Sequence, residues 1–171
     1  SPHNPTQRVF SFDELDKIAS LAAKHNIVVI SDEIHGDLTF NKTKHTPFDT
    51  VAKKHGTACA TCVSPSKTFN IAGEHFSYVI ASDAKMQKKL SDKQNSLNLK
   101  ADLLATKTAI AAYQGGMNWL INLLTYLEEQ ALYVKNALEE SNLGLKIVAP
   151  EASFIALIDC SSIYEKVVLD R

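Results

Sequence analysis

A lysine surrounded by hydroxyl groups stands between a predicted strand and an apolar segment, in the sequence Ser64-Pro65-Ser66-Lys67-Thr68. Burial lowers the pKa of a lysine amine, and a neutral amine attacks an aldehyde to form a Schiff base and later removes a proton. The hydroxyls of Ser64 and Ser66, with nearby backbone amides, can hold a phosphate group. Alternatively, Lys67 is an ordinary solvated lysine in a surface loop. The motif alone leaves both interpretations open.

A carboxylate ends another predicted strand, in the sequence Ser31-Asp32-Glu33-Ile34-His35. Asp32 can simply cap the turn that follows it, which is common for an aspartate after a strand. The alternative is that its carboxylate faces a heterocyclic nitrogen and keeps that nitrogen protonated. A heterocyclic ring whose nitrogen stays protonated accepts electrons. Because this chemistry also needs an amine that forms a Schiff base, Asp32 and Lys67 are candidates for one site.

The elements that must position these residues begin with an amphipathic helix. Ser11 and Glu14 have the spacing of a capping box, and apolar residues then recur at helical intervals up to about His25. Residues 26–31 form a short β-branched run, which predicts a strand covered on both faces, as in a parallel sheet.

Strand and helix alternate further along the chain. Residues 57–63 and 76–81 predict two more strands, and residues 84–90 predict a helix. This alternation predicts an α/β layer with right-handed crossovers, in which ligands lie outside the carboxyl ends of the strands. Asp32 and Lys67 are both at such ends.

The second half of the chain is mainly helical in pattern. Apolar residues from about position 95 share a helical face until Gly115-Gly116 breaks the pattern. A long helix with one apolar seam follows, and two short strands are predicted at 145–149 and 154–158. The seam favours packing within the chain over a coiled coil with a partner, and it consists of Leu120, Leu124, Leu127, Ala131, Val134 and Leu138.

The composition excludes several classes of protein. The 171 residues are 45% hydrophobic and 22% charged, which argues against a disordered chain. A net charge of -1 without a basic block argues against nucleic-acid binding, and no apolar run is long enough to span a membrane. Because the amino end also lacks a leader and there are only three cysteines, the sequence predicts a cytoplasmic protein.

Two of the cysteines form a C-x-x-C sequence, Cys59-Ala60-Thr61-Cys62. On a strand, side chains three positions apart face opposite sides, so the two sulfur atoms diverge. We therefore predict buried core cysteines and no metal site, although a zinc site that includes His55 is the alternative.

Three motifs in this order resemble the class I/II aminotransferase superfamily of fold-type I enzymes, which depend on pyridoxal 5'-phosphate (PLP). The first is Ser1-Pro2-His3-Asn4-Pro5, and the others contain Asp32 and Lys67. The Asp-Glu-Ile-His form of the second motif makes the resemblance closest to the MalY/PatB-type carbon–sulfur lyase branch. The resemblance runs through nearly the whole chain but covers only the middle and later part of a family member.

The resemblance implies a role for each site residue. Asn4 would donate to the phenolic oxygen of PLP, Asp32 would pair with the pyridine nitrogen, and Lys67 would bind the cofactor covalently. His35 stands where aminotransferases usually have a tyrosine that contacts the same phenolic oxygen. Ser64 and Ser66 match positions near the phosphate, Ser64 more closely.

The resemblance also implies the architecture. We expect part of a three-layer α/β/α major domain over residues 1–115, a long connecting helix over 116–143, and the start of a smaller α+β domain over 144–171. Gln7 occupies a position that is usually glycine in an Asn-Pro-x-Gly turn, where a positive φ is required.

The implied reaction is a β-elimination. Cystathionine or cysteine would be converted to pyruvate, ammonia and a thiol, with Lys67 as the general base on the α-proton. Family members are homodimers, so a homodimer that binds a small sulfur-containing amino acid is expected. The alternatives are a PLP-dependent aminotransferase, which shares the early steps, and an inactive fragment that folds or associates without turnover.

Overall fold

Helices and strands follow one another along the chain largely in the predicted order. The computed structural model describes residues 1–40, 43–148 and 150–166. Short 3₁₀ helices lie at Ala72–Glu74 and Ser161–Lys166. The remaining elements are α1 (Phe12–Lys24), β1 (Val29–Asp32), α2 (Phe48–His55), β2 (Cys59–Val63), α3 (Pro65–Thr68), β3 (Tyr78–Ala81), α4 (Ala84–Ser96), α5 (Leu103–Gly115), α6 (Met117–Glu140), β4 (Lys146–Ile147) and β5 (Ile158–Asp159).

The predicted capping box is confirmed at the start of α1. Ser11 Oγ accepts from the backbone N–H of Glu14 at 3.3 Å, and the Glu14 carboxylate accepts from the Ser11 N–H at 2.9 Å. These bonds satisfy backbone donors that the first helical turn leaves unpaired. The helix then buries Leu15 and Ala19.

Strands β1, β2 and β3 form one sheet with β2 in the middle. β1 and β2 are parallel, and α2 lies in the connection between them as the predicted crossover requires. β3 is antiparallel to β2, so the prediction of a right-handed crossover is wrong for this connection. The link contains only the four-residue α3 and a 3₁₀ turn, so it lacks the helix that usually returns the chain to the other end of the sheet for a parallel strand.

The core lies on one face of this sheet. Leu15 and Ala19 of α1 pack with Phe48 and Val51 of α2 and with Cys59 of β2. The prediction that β1 is covered on both faces is wrong for this chain, because its side chains alternate between half-buried and exposed. Ile30, on the other face, is 74% exposed.

The helices of the second half meet at Gly116, as the glycine pair predicts. α5 ends at Gly115 and α6 continues for 24 residues to Glu140. We expected the helix before Gly115 to begin near position 95, with Leu99 on its apolar face. The helix α5 begins only at Leu103, so Leu99 lies before it.

The strands of the last unit are shorter than predicted. The two short strands β4 and β5 pair antiparallel, and α6 packs against β4. Both are shorter than the predicted runs 145–149 and 154–158, and Ala149 and residues 167–171 lie outside the described part. The division into domains at 115 and 143 stays a prediction.

Gln7 has the backbone conformation that the family turn requires, although it is not glycine. Its φ is 59°, and its side chain is buried, with Oε1 lacking a hydrogen-bond partner among the described residues. Hydrogen bonds hold the turn, because Gln7 N donates to the His3 carbonyl and His3 N donates to the Arg8 carbonyl, both at 2.8 Å.

Within the described residues, no helix is both long enough and apolar enough to cross a membrane.

Candidate active site

The carboxyl ends of β1 and β2 lie at the same edge of the sheet because these strands are parallel. Asp32 is the partner of Cys62 in the register, and the Asp32 carbonyl accepts from the Ser1 nitrogen at 3.1 Å. This bond brings the amino-terminal segment to the strand end. A cavity of about 310 Å³ opens there, lined in part by Asn4, Asp32 and His35.

Asp32 has the first of the two roles that the sequence left open, and one of its oxygens is left for the second. Its Oδ1 accepts from the backbone N–H of Ile34 at 3.1 Å, so the carboxylate does cap the turn. Within the described part of the chain, Oδ2 has no hydrogen-bond partner, and neither has the side-chain amide of Asn4. Both groups line the cavity with free hydrogen-bonding capacity.

His35 is buried, unlike Asn4 and Asp32 in the same cavity lining. Its Nδ1 lies 3.1 Å from Ser153 Oγ, and its ring packs on Phe154 with the centroids 5.6 Å apart. Burial lowers the pKa of His35, the positive charge of Lys67 lowers it further, and the Asp32 carboxylate opposes the shift. The imidazole is therefore neutral near pH 7.

Lys67 lies in α3, directly after β2, and is half-buried. It is not part of the lining of the cavity, but its positive charge acts on His35. No ion pair engages its ammonium within residues 1–40, 43–148 and 150–166. The amine is thus near the edge that carries Asp32 and is not held by a carboxylate.

Ser64 and Ser66 are both buried at the start of α3. Ser64 Oγ accepts from Ser66 N at 3.0 Å, which caps the helix, and it lies 2.6 Å from both Ser66 Oγ and the Phe76 carbonyl. In this arrangement the two hydroxyls serve the local fold. Their predicted contact with a phosphate stays a prediction.

A second hydrogen bond fixes the segment that carries Lys67. Thr68 is almost fully buried, and its hydroxyl donates to Asp37 Oδ2 at 3.0 Å. Asp37 lies in the turn that follows β1, so the helix that carries Lys67 and this turn are tied together.

Glu33 forms a buried network behind the cavity. Its carboxylate accepts from Ser31 Oγ at 2.8 Å and from Phe48 N at 2.8 Å, and it pairs with His45 Nε2 at 2.9 Å. Burial by itself raises the pKa of Glu33, but these bonds outweigh burial and hold the pKa below its usual value. The network joins the end of β1 to the start of α2.

Sequence reasoning did not single out Glu33, His45 or Ser153. The alternation of side chains along a strand gives a weak signal that Glu33 is buried. If Asp32 faces outward, the side chain of the next residue faces inward. No local spacing could reveal Ser153, which lies 118 positions from His35.

The cysteine prediction is confirmed for Cys59 and only in part for Cys62. Both lie on β2 as free thiols, Cys59 buried and Cys62 half-buried. Burial, with the nearby carboxylate of Asp49, raises the pKa of the Cys59 thiol to about 11. In the described ranges, no three His, Cys, Asp or Glu side chains are grouped to hold a metal ion.

Comparison with known proteins supports the same family. The family model "Aminotransferase class I and II" matches residues 1–170. Cystathionine beta-lyase PatB of Bacillus subtilis is 37% identical over 163 residues, which are 95% of this chain and 42% of PatB. Protein MalY of Escherichia coli is 34% identical over 161 residues, which are 93% of this chain and 40% of MalY.

Comparison with solved structures gives the same family. The crystal structure of cystalysin from Treponema denticola, which contains a PLP cofactor, superposes with a TM-score of 0.91 at 29% identity. The match covers 95% of this chain and 42% of cystalysin, so the chain spans less than half the length of these relatives. The predicted fold class is confirmed as part of such a fold, and PLP is the cofactor of the solved relative. The protein belongs to the class I and II aminotransferase family.

Proposed function

We propose that this protein is a PLP-dependent carbon–sulfur β-lyase that acts on cystathionine, cysteine or a similar amino acid. The observation that carries the proposal is that Asn4, Asp32 and His35 line one cavity at the carboxyl end of β1, and that Lys67 directly follows the parallel strand β2 at the same edge of the sheet. The similarity to cystathionine beta-lyase PatB favours the lyase among the reactions of the family.

The donors and acceptors at the cavity fit a PLP ring. The free Oδ2 of Asp32 is a suitable acceptor for a protonated ring nitrogen, and the free amide of Asn4 is a suitable donor to the phenolic oxygen. The neutral imidazole of His35 adds a second donor there. When bound, PLP supplies an aldehyde for a lysine amine and a ring that accepts electrons from the α-carbon of an amino acid.

Lys67 has two tasks in this proposal. Its Nζ would hold the cofactor covalently, and as a free amine it would take the α-proton of an amino-acid substrate. Asp32 would hold the protonated ring nitrogen, and the bound cofactor would supply stabilisation of negative charge at the α-carbon. The overall reaction would convert the amino acid and one water molecule to a thiol, pyruvate and ammonia.

The first test is cofactor binding through Lys67. Titration of the purified protein with PLP should produce the visible absorbance band of a lysine-bound cofactor, and Lys67→Ala should abolish this band. Lys85→Ala, on exposed α4, is the matched control and should leave it unchanged. A band that persists in Lys67→Ala would refute the assignment of Lys67.

An aminotransferase is the second candidate, because the matched family model is that of aminotransferases and an asparagine--oxo-acid transaminase is also similar. Pyruvate release from cysteine or cystathionine without a keto acid indicates the lyase. Amino transfer that requires an added keto acid indicates the aminotransferase. A band without either reaction would indicate the third candidate, a chain that folds or associates without turnover.

We also propose that the complete protein is a cytoplasmic homodimer, as the resemblance implies. Sedimentation of the complete protein at several concentrations should give a mass twice that of one chain. A monomer at every concentration would refute the dimer.

A further inference from the structure

Ser153 contacts the ring of His35 from a distant part of the chain. Its Oγ lies 3.1 Å from Nδ1, and both side chains are buried. Within the described residues, Nδ1 is the hydrogen-bond partner of this hydroxyl. None of the sequence motifs includes Ser153.

The direction of this hydrogen bond follows from the buried hydroxyl. If Nδ1 carried the ring proton, it would donate to Ser153 Oγ, and the hydroxyl hydrogen would have no acceptor among the described residues. A buried donor without an acceptor is unfavourable. The hydroxyl therefore donates to Nδ1, and the single proton of the neutral His35 ring lies on Nε2.

The backbone holds Ser153 in place for this contact. Ser153 N donates to the Leu38 carbonyl at 2.7 Å, and Ala152 forms a bridge with Thr39. Ser153 has a φ of 72°, a left-handed conformation that is costly for a residue other than glycine. Strain of this kind is often found where a side chain must be placed for function.

We propose that Ser153 is a positioning residue that keeps the proton of His35 on Nε2, so that Nε2 donates to the phenolic oxygen of the cofactor. The identity of the acceptor rests on the proposed function. The proton position does not, because it can be measured in the protein without PLP. The segment 151–153 would thus determine which ring nitrogen of His35, just after β1, carries the proton.

The test is nuclear magnetic resonance of the complete protein with isotope-labelled histidine rings and without cofactor. The variant His35→Gln identifies the His35 signals among those of the other histidines. In the unchanged protein, the proton should be on Nε2, and Nδ1 should have the chemical shift of a nitrogen that accepts a hydrogen bond.

Two variants separate the hydroxyl from the backbone strain. Ser153→Ala removes the hydroxyl and keeps the strain, whereas Ser153→Gly removes both. In both variants we expect the two ring nitrogen signals to move toward each other, because the tautomer with the proton on Nδ1 becomes populated. Ser162→Ala, which removes an exposed hydroxyl bonded to the Leu143 carbonyl, should change nothing at His35.

Three results would overturn the proposal. The first is a proton on Nδ1 in the unchanged protein, which can be seen even if a variant fails to fold. The second is a pair of unchanged ring signals in both variants. The third is a change in Ser153→Gly that is absent in Ser153→Ala, which would assign the effect to strain. Failure of the proposed function would instead show as the absence of PLP binding, with the ring signals still interpretable.

Discussion

Adjacent acidic residues at the end of β1 have opposite tasks. Asp32 is exposed and lines the cavity, with one carboxylate oxygen free, whereas Glu33 is buried and fully engaged by hydrogen bonds. The alternation of side chains along an extended segment separates them. The Asp32 carboxylate is thus available for a ligand, while the Glu33 carboxylate fastens the end of β1 to α2.

The charge of Glu33 can be tested through the pH dependence of stability. Glu33→Gln should lower the free energy of unfolding by about 1–3 kcal/mol near neutral pH, because it weakens bonds from Phe48, His45 and Ser31. The folded-state pKa of Glu33 lies below its ordinary value of 4.5, so the contribution of the carboxylate is fully present above that value. It is lost as the pH falls through the folded-state pKa.

Urea unfolding of both proteins at a series of pH values measures this effect. The difference between them should shrink as the pH falls below 4.5. Glu140→Gln, at an exposed position near the end of α6, is the control and should show a small difference at every pH. A loss of stability in Glu33→Gln that does not depend on pH would contradict the prediction.

At the scale of elements, α3 depends on its neighbours. A helix of four residues has no stability of its own, because the cost of nucleation is not recovered. The ring of Phe69 directly after it packs on Tyr113 of α5 and Trp119 of α6, with centroids 5.8 Å and 6.1 Å apart. The junction of α5 and α6 thus supports the segment that carries Lys67.

The two glycines of that junction should respond differently to alanine. A Cβ on Gly116 would lie 2.4 Å from the ring of Phe69 and 2.5 Å from the Ala112 carbonyl, whereas a Cβ on Gly115 meets nothing within 4 Å. We expect Gly116→Ala to lower the free energy of unfolding by about 1–3 kcal/mol through overpacking. Gly115→Ala should be neutral or stabilise α5 by up to about 1 kcal/mol.

Thermal and urea unfolding of the two variants provide the comparison. Because Phe69 lies two residues after Lys67, Gly116→Ala should also weaken PLP binding relative to Gly115→Ala. Equal stability of the two variants would show that the Phe69 ring moves aside without cost.

At the scale of the whole molecule, the segment around Glu151 joins parts of the chain that are far apart in sequence. Glu151 Oε2 accepts from Val9 N at 2.6 Å, and the Glu151 carbonyl accepts from Phe40 N at 3.0 Å. The neighbouring Ser153 reaches His35. The turn after Asn4, the loop after β1 and the start of the last unit therefore meet beside the candidate site.

The variant Glu151→Ala tests this junction. It leaves the N–H of the buried Val9 without a partner, which should lower the free energy of unfolding by about 1–3 kcal/mol. Glu139→Ala breaks an exposed ion pair with Lys135 and should change stability by only about 0–1 kcal/mol.

Hydrogen exchange gives a local readout for the same variant. The Val9 amide should exchange faster in Glu151→Ala than in Glu139→Ala, since only the first variant removes its acceptor. Equal exchange rates at Val9 would show that the carboxylate does not secure the junction.

Local sequence patterns determined where Asp32 and Lys67 would lie. A β-branched run that stops at an acidic residue marks a strand end, and the Ser11 capping box marks a helix start, because both depend on neighbouring residues. The same patterns led to the α/β fold class and, through the resemblance of three motifs, to the family.

Only the tertiary structure decided the direction of β3, the exposure of Ile30 and the environment of His35. Strand direction and burial depend on which elements pack together, and a strand's own residues do not contain that information. The contact of Ser153 with His35 depends on how the chain folds back over 118 positions. The sequence by itself determined the candidate reacting groups, and the fold determined which side chains contact them, because such contacts join residues remote along the chain.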